Sequence, residues 1–192
     1  LIEELAKCGS GGVAAGLGAQ FTISTGPLWR YGNDDQKKRF LVPGVRGEKI
    51  GALGLTEPHV GSDLANCRTV AKHDGDDWIL NGAKMLITNG CRADVVLVLS
   101  KTDPAASYGG FSTLIVEKGM PGFDQGKRLE KLGWHASDTA ELDFDNVRVP
   151  ARNLLGQEGQ GFYNAMANLE WERLMMALGG LQGVIGWLMV SS

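Results

Sequence analysis

The chain has 192 residues, enough for one ordinary domain or for one domain with pieces of its neighbours. Hydrophobic residues make up 43%, which excludes global disorder, and a net charge of −3 from scattered Lys and Arg argues against a nucleic-acid surface while leaving room for a phosphate-bearing small molecule. Gly, at 28 of 192 and without a G-x-y period, excludes collagen and predicts many turns and close backbone approaches. The three cysteines (Cys8, Cys67, Cys91) and three histidines (His59, His73, His135) are widely spaced. Neither a disulfide framework nor a metal site is expected, and a reducing compartment fits.

The sequence opens on Leu1, with Glu3 and Glu4 where a secretory signal would need positive charge and an apolar run, so no signal peptide is expected. Both ends read as cut, and the chain is expected to be a fragment. Residues 1–42 read as helical. Small residues dominate Cys8 to Gly18, where helices could pack with close backbones. Asn33-Asp34-Asp35-Gln36 reads as an N-cap with Gln at the third helical position, Lys37, Lys38 and Arg39 follow, and Pro43 is expected to stop the helix. This stretch is read as scaffold.

Residues 48–150 change period. Cys67 to His73 alternates, Asp74-Gly75-Asp76 marks a turn before Trp78-Ile79-Leu80, and Asn81-Gly82 gives a tight hairpin signal. Met85 to Thr88 runs into a further turn at Asn89-Gly90. Val95 to Leu99 and Phe111 to Val116 read as strands, the first apolar enough to be buried on both faces. Thr139 to Phe144 alternates again toward Val147 and Pro150. Short strands with frequent turns and no intervening helices predict an antiparallel sandwich or barrel.

Residues 158–190 return to helix. Phe162, Ala165, Leu169, Glu172 and Met176 share one stripe, and Tyr163, Met166, Glu170 and Arg173 a neighbouring one. Glu172 falls on the apolar side, where desolvation would raise its pKa toward that of a general base. The alternative is a glutamate at a stripe edge or in a local ion pair. The run Leu174–Val190 is nearly continuous apolar sequence holding Gly179-x-x-x-Gly183; at 17 residues it is read as a buried or partner-facing helix rather than a membrane span.

The run Leu55-Thr56-Glu57-Pro58-His59-Val60-Gly61-Ser62-Asp63 resembles a signature of the acyl-CoA dehydrogenase family. Trp78 to Gly90, Leu132-Gly133, Ser137-Asp138-Thr139, Val149-Pro150, Leu155-Gly156, Gly159 to Phe162 and Leu169-Glu170-Trp171-Glu172-Arg173-Leu174 follow in the family's order. The resemblance covers essentially the whole chain and implies an α+β fold in three parts. Residues 1–48 would end an N-terminal helical domain, 49–155 would form the antiparallel β-sandwich or barrel of the middle domain, and 156–192 would begin a truncated C-terminal helical bundle.

The resemblance also implies roles for particular residues. Leu55, Thr56, Gly61 and Ser62 would wrap the flavin of FAD, with Thr56 at the isoalloxazine edge, and Leu86, Ile87 and Thr88 would lie against the flavin face. Ser62, Tyr163, Glu170 and Arg173 would contact the acyl-CoA substrate. Glu172 matches the catalytic base as the isovaleryl-CoA and long-chain branches place it. The implied reaction is α,β-dehydrogenation of an acyl-CoA thioester, with electron-transfer flavoprotein as partner. A homo-oligomer (dimer or tetramer) in the bacterial cytoplasm or the mitochondrial matrix is expected, with no metal, nucleic acid or membrane span. A flavin oxidase or monooxygenase of the same superfamily, or an inactive binding or assembly module, remains the alternative.

Overall fold

The computed structural model describes residues 1–191, with side chains through Ile185. The N-terminal third is helical: α1 (Ile2–Ala6), α2 (Gly11–Gly18), a π-helical turn over Ala19–Ser24, and α3 (Thr25–Tyr31). Ser10 caps α2 by accepting the Val13 N–H. The small residues of α2 serve close packing as expected, but their partner is a loop. A Cβ on Gly12 would lie 2.9 Å from the Ala136 backbone nitrogen, and one on Gly11 would meet the Trp134 ring.

The second helical run comprises α4 (Asp34–Gln36), a π-helical stretch at Lys37–Leu41, and α5 (Val42–Val45). It begins with the expected capping box between Asn33 and Gln36. Pro43 does not stop the helix, which continues through Val45. The register widens to i→i+5 pairing just before the proline, so the ladder is already interrupted where the missing N–H would fall.

Eight strands form one sheet: β1 (Gly51–Gly54), β2 (Val70–Asp74), β3 (Asp77–Thr88), β4 (Val95–Lys101), β5 (Phe111–Glu117), β6 (Phe123–Asp124), β7 (Thr139–Pro150) and β8 (Leu154–Leu155). Their order is β6-β7-β3-β2-β4-β5-β8, with β1 paired to β4. Most ladders are antiparallel as expected, but the sheet is mixed: β1 runs parallel to β4 from Gly51↔Val95 to Gly54↔Val98. Asn81-Gly82 makes no hairpin. The turn is at Gly75 (φ +63°), and β3 runs through Gly82, where its register with β7 shifts. Gly82 has φ +143°, and a Cβ there would fall 2.6 Å from Thr69 Oγ1, so bulge and close approach explain the glycine.

Strand β4 alternates between two cores. Val96 and Val98 join Trp78, Leu80, Ile87, Leu114 and Leu142 on one face, while Val95 and Leu97 meet Leu28, Phe40, Ile115 and Leu155 beneath the helices. Helix α6 (Gly161–Ser191) starts hard against β5, since a Cβ on Gly161 would lie 2.6 Å from the Ser112 carbonyl carbon. Its inner face is narrower than the predicted stripe. Ala165 and Leu169 are half-buried and Glu172 is buried, but Met176 is 64% exposed. Leu174, Leu181, Val184 and Ile185 are exposed too, because the helix has run past the sheet. The side chains of 186–190, the end of the apolar run, lie outside the described residues. Among the described residues no helix is long and apolar enough to cross a membrane, and no cluster of three or more His, Cys, Asp or Glu could hold a metal.

Candidate functional site

The signature loop leaves β1 at Leu55 and folds back on itself. Glu57 N–H donates to the Val60 carbonyl at 2.9 Å and Val60 N–H to the Glu57 carbonyl at 3.1 Å, while Met85 N–H donates to the Thr56 carbonyl at 2.8 Å and ties the loop to β3. Beneath it lies a buried ion pair. Lys84 Nζ donates to Glu57 Oε1 at 2.8 Å and to the Leu55 carbonyl at 3.1 Å. The Glu57 carboxylate also accepts the N–H groups of Arg68 (2.6 Å) and Thr69 (3.0 Å). Burial disfavours this carboxylate, but Lys84 and the two amides outweigh it and hold its pKa below the ordinary value. Burial pulls Lys84 below its own usual value and pushes the neighbouring Cys67 thiol up to about 11, so that cysteine is an unreactive core thiol.

The loop turns its other side outward: Gly61 and Ser62 are exposed, and the space beside the Gly61 Cα is open. Leu86, Ile87 and Thr88 part company. The β3–β7 register slips between Lys84 and Ile87, and Leu86 sits at φ +61° with 59% of its surface exposed. A β-bulge at a left-handed leucine projects an apolar side chain into solvent, an outlier of the kind that accompanies ligand sites. Ile87 turns the other way into the core, so only its backbone can meet a cofactor. Thr88 and Thr56 are half-buried. Two half-buried threonines, an open glycine turn and an outward leucine thus lie on the loop and on the strand that the Met85–Thr56 bond ties it to, chemistry compatible with the polar edge and apolar face of a flavin.

Helix α6 reaches this loop at its first turn. Phe162 packs in one cluster with Leu55, Val60, Leu64 and Phe111, and Tyr163 stands edge-on to the Phe162 ring at 6.2 Å. Three turns on, Glu172 is 8% exposed and accepts a hydrogen bond from the Asn168 amide. Burial raises its pKa, and the Asn168 hydrogen bond and the charge of Arg173 oppose the rise only partly. Glu170, Arg173 and Tyr163 are exposed. The helix therefore separates one buried, weakened carboxyl acid from polar groups free to meet a charged ligand.

A narrow apolar crevice lined by Leu53, Leu55, Thr113, Ala165 and Asn168 joins the root of the signature loop to the inner face of α6. The larger concavity, of about 510 Å³, lies elsewhere, between α2, the Gly44–Ile50 segment and Arg92, and none of the expected site residues lines it. Neither concavity is lined by Leu86, Ile87, Thr88 or Glu172, and of the expected site residues only Leu55 lines the crevice. The sequence reading missed Glu57, Lys84 and Asn168 as functional neighbours. Only Asn168 left a signal, a polar residue four positions before Glu172 on the same helical face.

Helices lead into a mixed sheet, a T-E-P loop is pinned over β3, and a buried carboxyl lies on the helix that follows the sheet. The model of the acyl-CoA dehydrogenase N-terminal domain matches residues 1–48 and that of the middle domain residues 52–147; the chain belongs to the acyl-CoA dehydrogenase family. A short-chain-specific acyl-CoA dehydrogenase of Megasphaera elsdenii is 46% identical over 92% of this chain and 46% of its own length. The mitochondrial isovaleryl-CoA dehydrogenase of Pongo abelii is 44% identical over 96% of this chain and 45% of its own. The butyryl-CoA dehydrogenase structure from M. elsdenii superposes with a TM-score of 0.90 at 44% identity, covering 94% of this chain and 47% of that one. The prolyl acyl carrier protein oxidase AnaB gives 0.95 at 32% identity, over 99% and 50%. The chain spans about half the length of the relatives it matches. The family consists of FAD-dependent flavoproteins.

Proposed function

We propose that this chain supplies the flavin loop and the catalytic base of an FAD-dependent acyl-CoA dehydrogenase that removes the α- and β-hydrogens of an acyl-CoA thioester. The observation that carries the reading is Glu172: a buried carboxyl with a raised pKa, on the helix whose first turn packs against the signature loop. Leu55, Thr56, Gly61, Ser62, Leu86, the backbone of Ile87, and Thr88 would hold FAD. Ser62, Tyr163, Glu170 and Arg173 would line the route of the CoA moiety, where the exposed Arg173 guanidinium suits phosphate. When bound, the flavin supplies the acceptor for the β-hydrogen and its electron pair. Glu172 takes the α-proton, and its raised pKa makes it a stronger base than an ordinary glutamate toward a weak carbon acid.

In the FAD-loaded protein, Glu172→Gln should keep thioester binding and lose at least about 10²-fold in the single-turnover rate of flavin bleaching. Glu170→Gln, on the exposed side, should change binding more than chemistry. Bleaching of Glu172→Gln at near the wild-type rate would place the base elsewhere.

Electron-transfer flavoprotein is the proposed electron acceptor. One chain of a solved structure titled for the electron transferring flavoprotein of Acidaminococcus fermentans matches with a TM-score of 0.93 and 43% identity, over 96% of this chain and 48% of that one, which supports an association of this fold with that carrier. The exposed apolar length of α6 supports burial against further protein, and a homo-oligomer is proposed with the rest of the helical bundle in place. The bacterial and mitochondrial relatives support a cytoplasmic or matrix setting. The likeness to an acyl carrier protein oxidase favours one second reading, a flavin oxidase. Fast reoxidation of the reduced flavin by air, without a protein acceptor, would select it.

A further inference from the structure

Asn168 is 1% exposed and sits between α6 and the N-terminal helices. Its Nδ2 donates to Glu172 Oε1 one turn along and approaches the Thr22 carbonyl at 3.4 Å. Its Oδ1 faces Gly26, where a Cβ would come within 3.0 Å, and has no hydrogen-bond partner among the described residues. This asymmetry sets the orientation of the amide. The Thr22 carbonyl can only accept, and an ionised Glu172 can only accept, so turning the amide over would set its oxygen against both. The Asn168 amide thus aims its N–H groups at Glu172 and at the Thr22 carbonyl. Thr22 lies in the π-helical turn Ala19–Ser24, a local distortion of a kind often found at functional sites.

We propose that Asn168 is a positioning residue for Glu172: keyed by the Thr22 carbonyl, its amide holds the Glu172 carboxylate in one orientation, ready to accept a proton. The proposal rests on the reading of Glu172 as the base. The hydrogen bond favours the charged carboxylate against the burial that disfavours it, so the base is poised between the two. The charged and titratable groups on its own helix and on the elements packed against α6 stay constant in the test: Tyr163, Glu170 and Arg173 on α6, Glu3 and Glu4 on α1 with Lys7 just beyond it, Arg30 and Tyr31 on α3, Lys101 on β4, Glu117 on β5 and Tyr108 in the turn before β5; the π-helical turn carries none.

The test measures Glu172 itself. In the chain labelled with ¹³C-glutamate, its side-chain carboxyl resonance is assigned by its disappearance in Glu172→Gln and titrated without cofactor. Asn168→Ala removes the donor, and Asn168→Leu removes it while keeping the volume. In both, the Glu172 midpoint should move up by about one to two pH units, the range expected for a lost hydrogen bond to a charged group. In the FAD-loaded protein the acid limb of the flavin-bleaching rate should move up with it. Below the limb the variants should be about 10- to 100-fold slower than wild type, with FAD and thioester affinity unchanged.

A midpoint that stays at the wild-type value in either folded variant overturns the proposal. Loss of folding in both variants while Glu172→Gln folds makes Asn168 scaffold and also overturns it. A shifted midpoint with a fully active Glu172→Gln refutes the base, and the positioning role falls with it. An unshifted midpoint with an inactive Glu172→Gln refutes Asn168 alone.

Discussion

Replacing Lys84 by Met tests how the signature loop is held in place. The two side chains of the ion pair are 0% and 3% exposed for Lys84 and Glu57, so water cannot take over when one partner goes. The remaining carboxylate would keep the N–H groups of Arg68 and Thr69 but lose the ammonium. Breaking a buried pair from one side costs about 3–5 kcal/mol. With a urea slope of about 2 kcal/mol/M, the unfolding midpoint should fall by about 1.5–2.5 M. Adding Glu57→Gln keeps an oxygen for the backbone amides and removes the stranded charge, and should restore at least about half of the loss.

The sign with pH follows from the lowered pKa of Glu57. In the wild type, its stabilisation is complete above the unfolded value of 4.5 and is lost as pH falls through the lower folded value. In Lys84→Met the buried carboxylate penalises the fold at neutral pH, so the gap to wild type should narrow on acidification. Circular dichroism during urea titration at pH 7 and pH 4 measures all three chains. A loss below about 1 kcal/mol, or a double variant no better than the single, would refute the reasoning. It would assign the loop to its backbone bonds between Glu57 and Val60 and between Thr56 and Met85.

Two further outcomes are expected. Leu86→Gly relieves a left-handed leucine and should raise the melting temperature, by an amount equivalent to about 1 kcal/mol, while weakening FAD uptake through loss of the exposed side chain; a lower melting temperature refutes the strain. Glu172→Gln should be more stable than wild type at pH 7, because a raised pKa makes the stabilising contribution of Glu172 complete below pH 4.5 and lost as pH rises through the folded value. The difference should vanish on acidification, and thermal melts across pH that show no such convergence refute the burial argument.

Much of this fold can be read from pattern because pattern and packing agree. Val95 to Leu99 is apolar throughout and lies between two cores, and the Asn33–Gln36 box caps its helix. Strand β1 was illegible, since Gly51-Ala52-Leu53-Gly54 has neither alternation nor β-branching, and only its parallel seat beside β4 makes it a strand. Asn81-Gly82 carries the commonest hairpin signal, yet the close pass of Thr69 decides its geometry. In the site, helical spacing was enough to put Glu172 on the inner face. It was not enough to put Met176 outside, because where a helix runs past the body it packs on depends on three dimensions. Nor could spacing reveal the Glu57–Lys84 pair, whose members are 27 residues apart and meet only when the loop folds over β3.

The seams between the helices and the sheet are polar and buried. Gln20 donates to the carbonyls of Gly44 and Lys49 and accepts the N–H of Gly51. Gln36 donates to the carbonyls of Arg152 and Leu154, and Arg39 reaches Glu117 and Asn153. Each such group, if stranded, costs about 1–3 kcal/mol. The helical piece and the sheet should therefore exchange their amide hydrogens as a single cooperative unit, with no separate opening of either part. The same seams restrict recombination. A chimera joined near residue 48 would take its helices from one relative and its sheet from another; its helical half would have to bring the equivalents of Gln20, Gln36 and Arg39, and its sheet half those of Glu117 and Asn153.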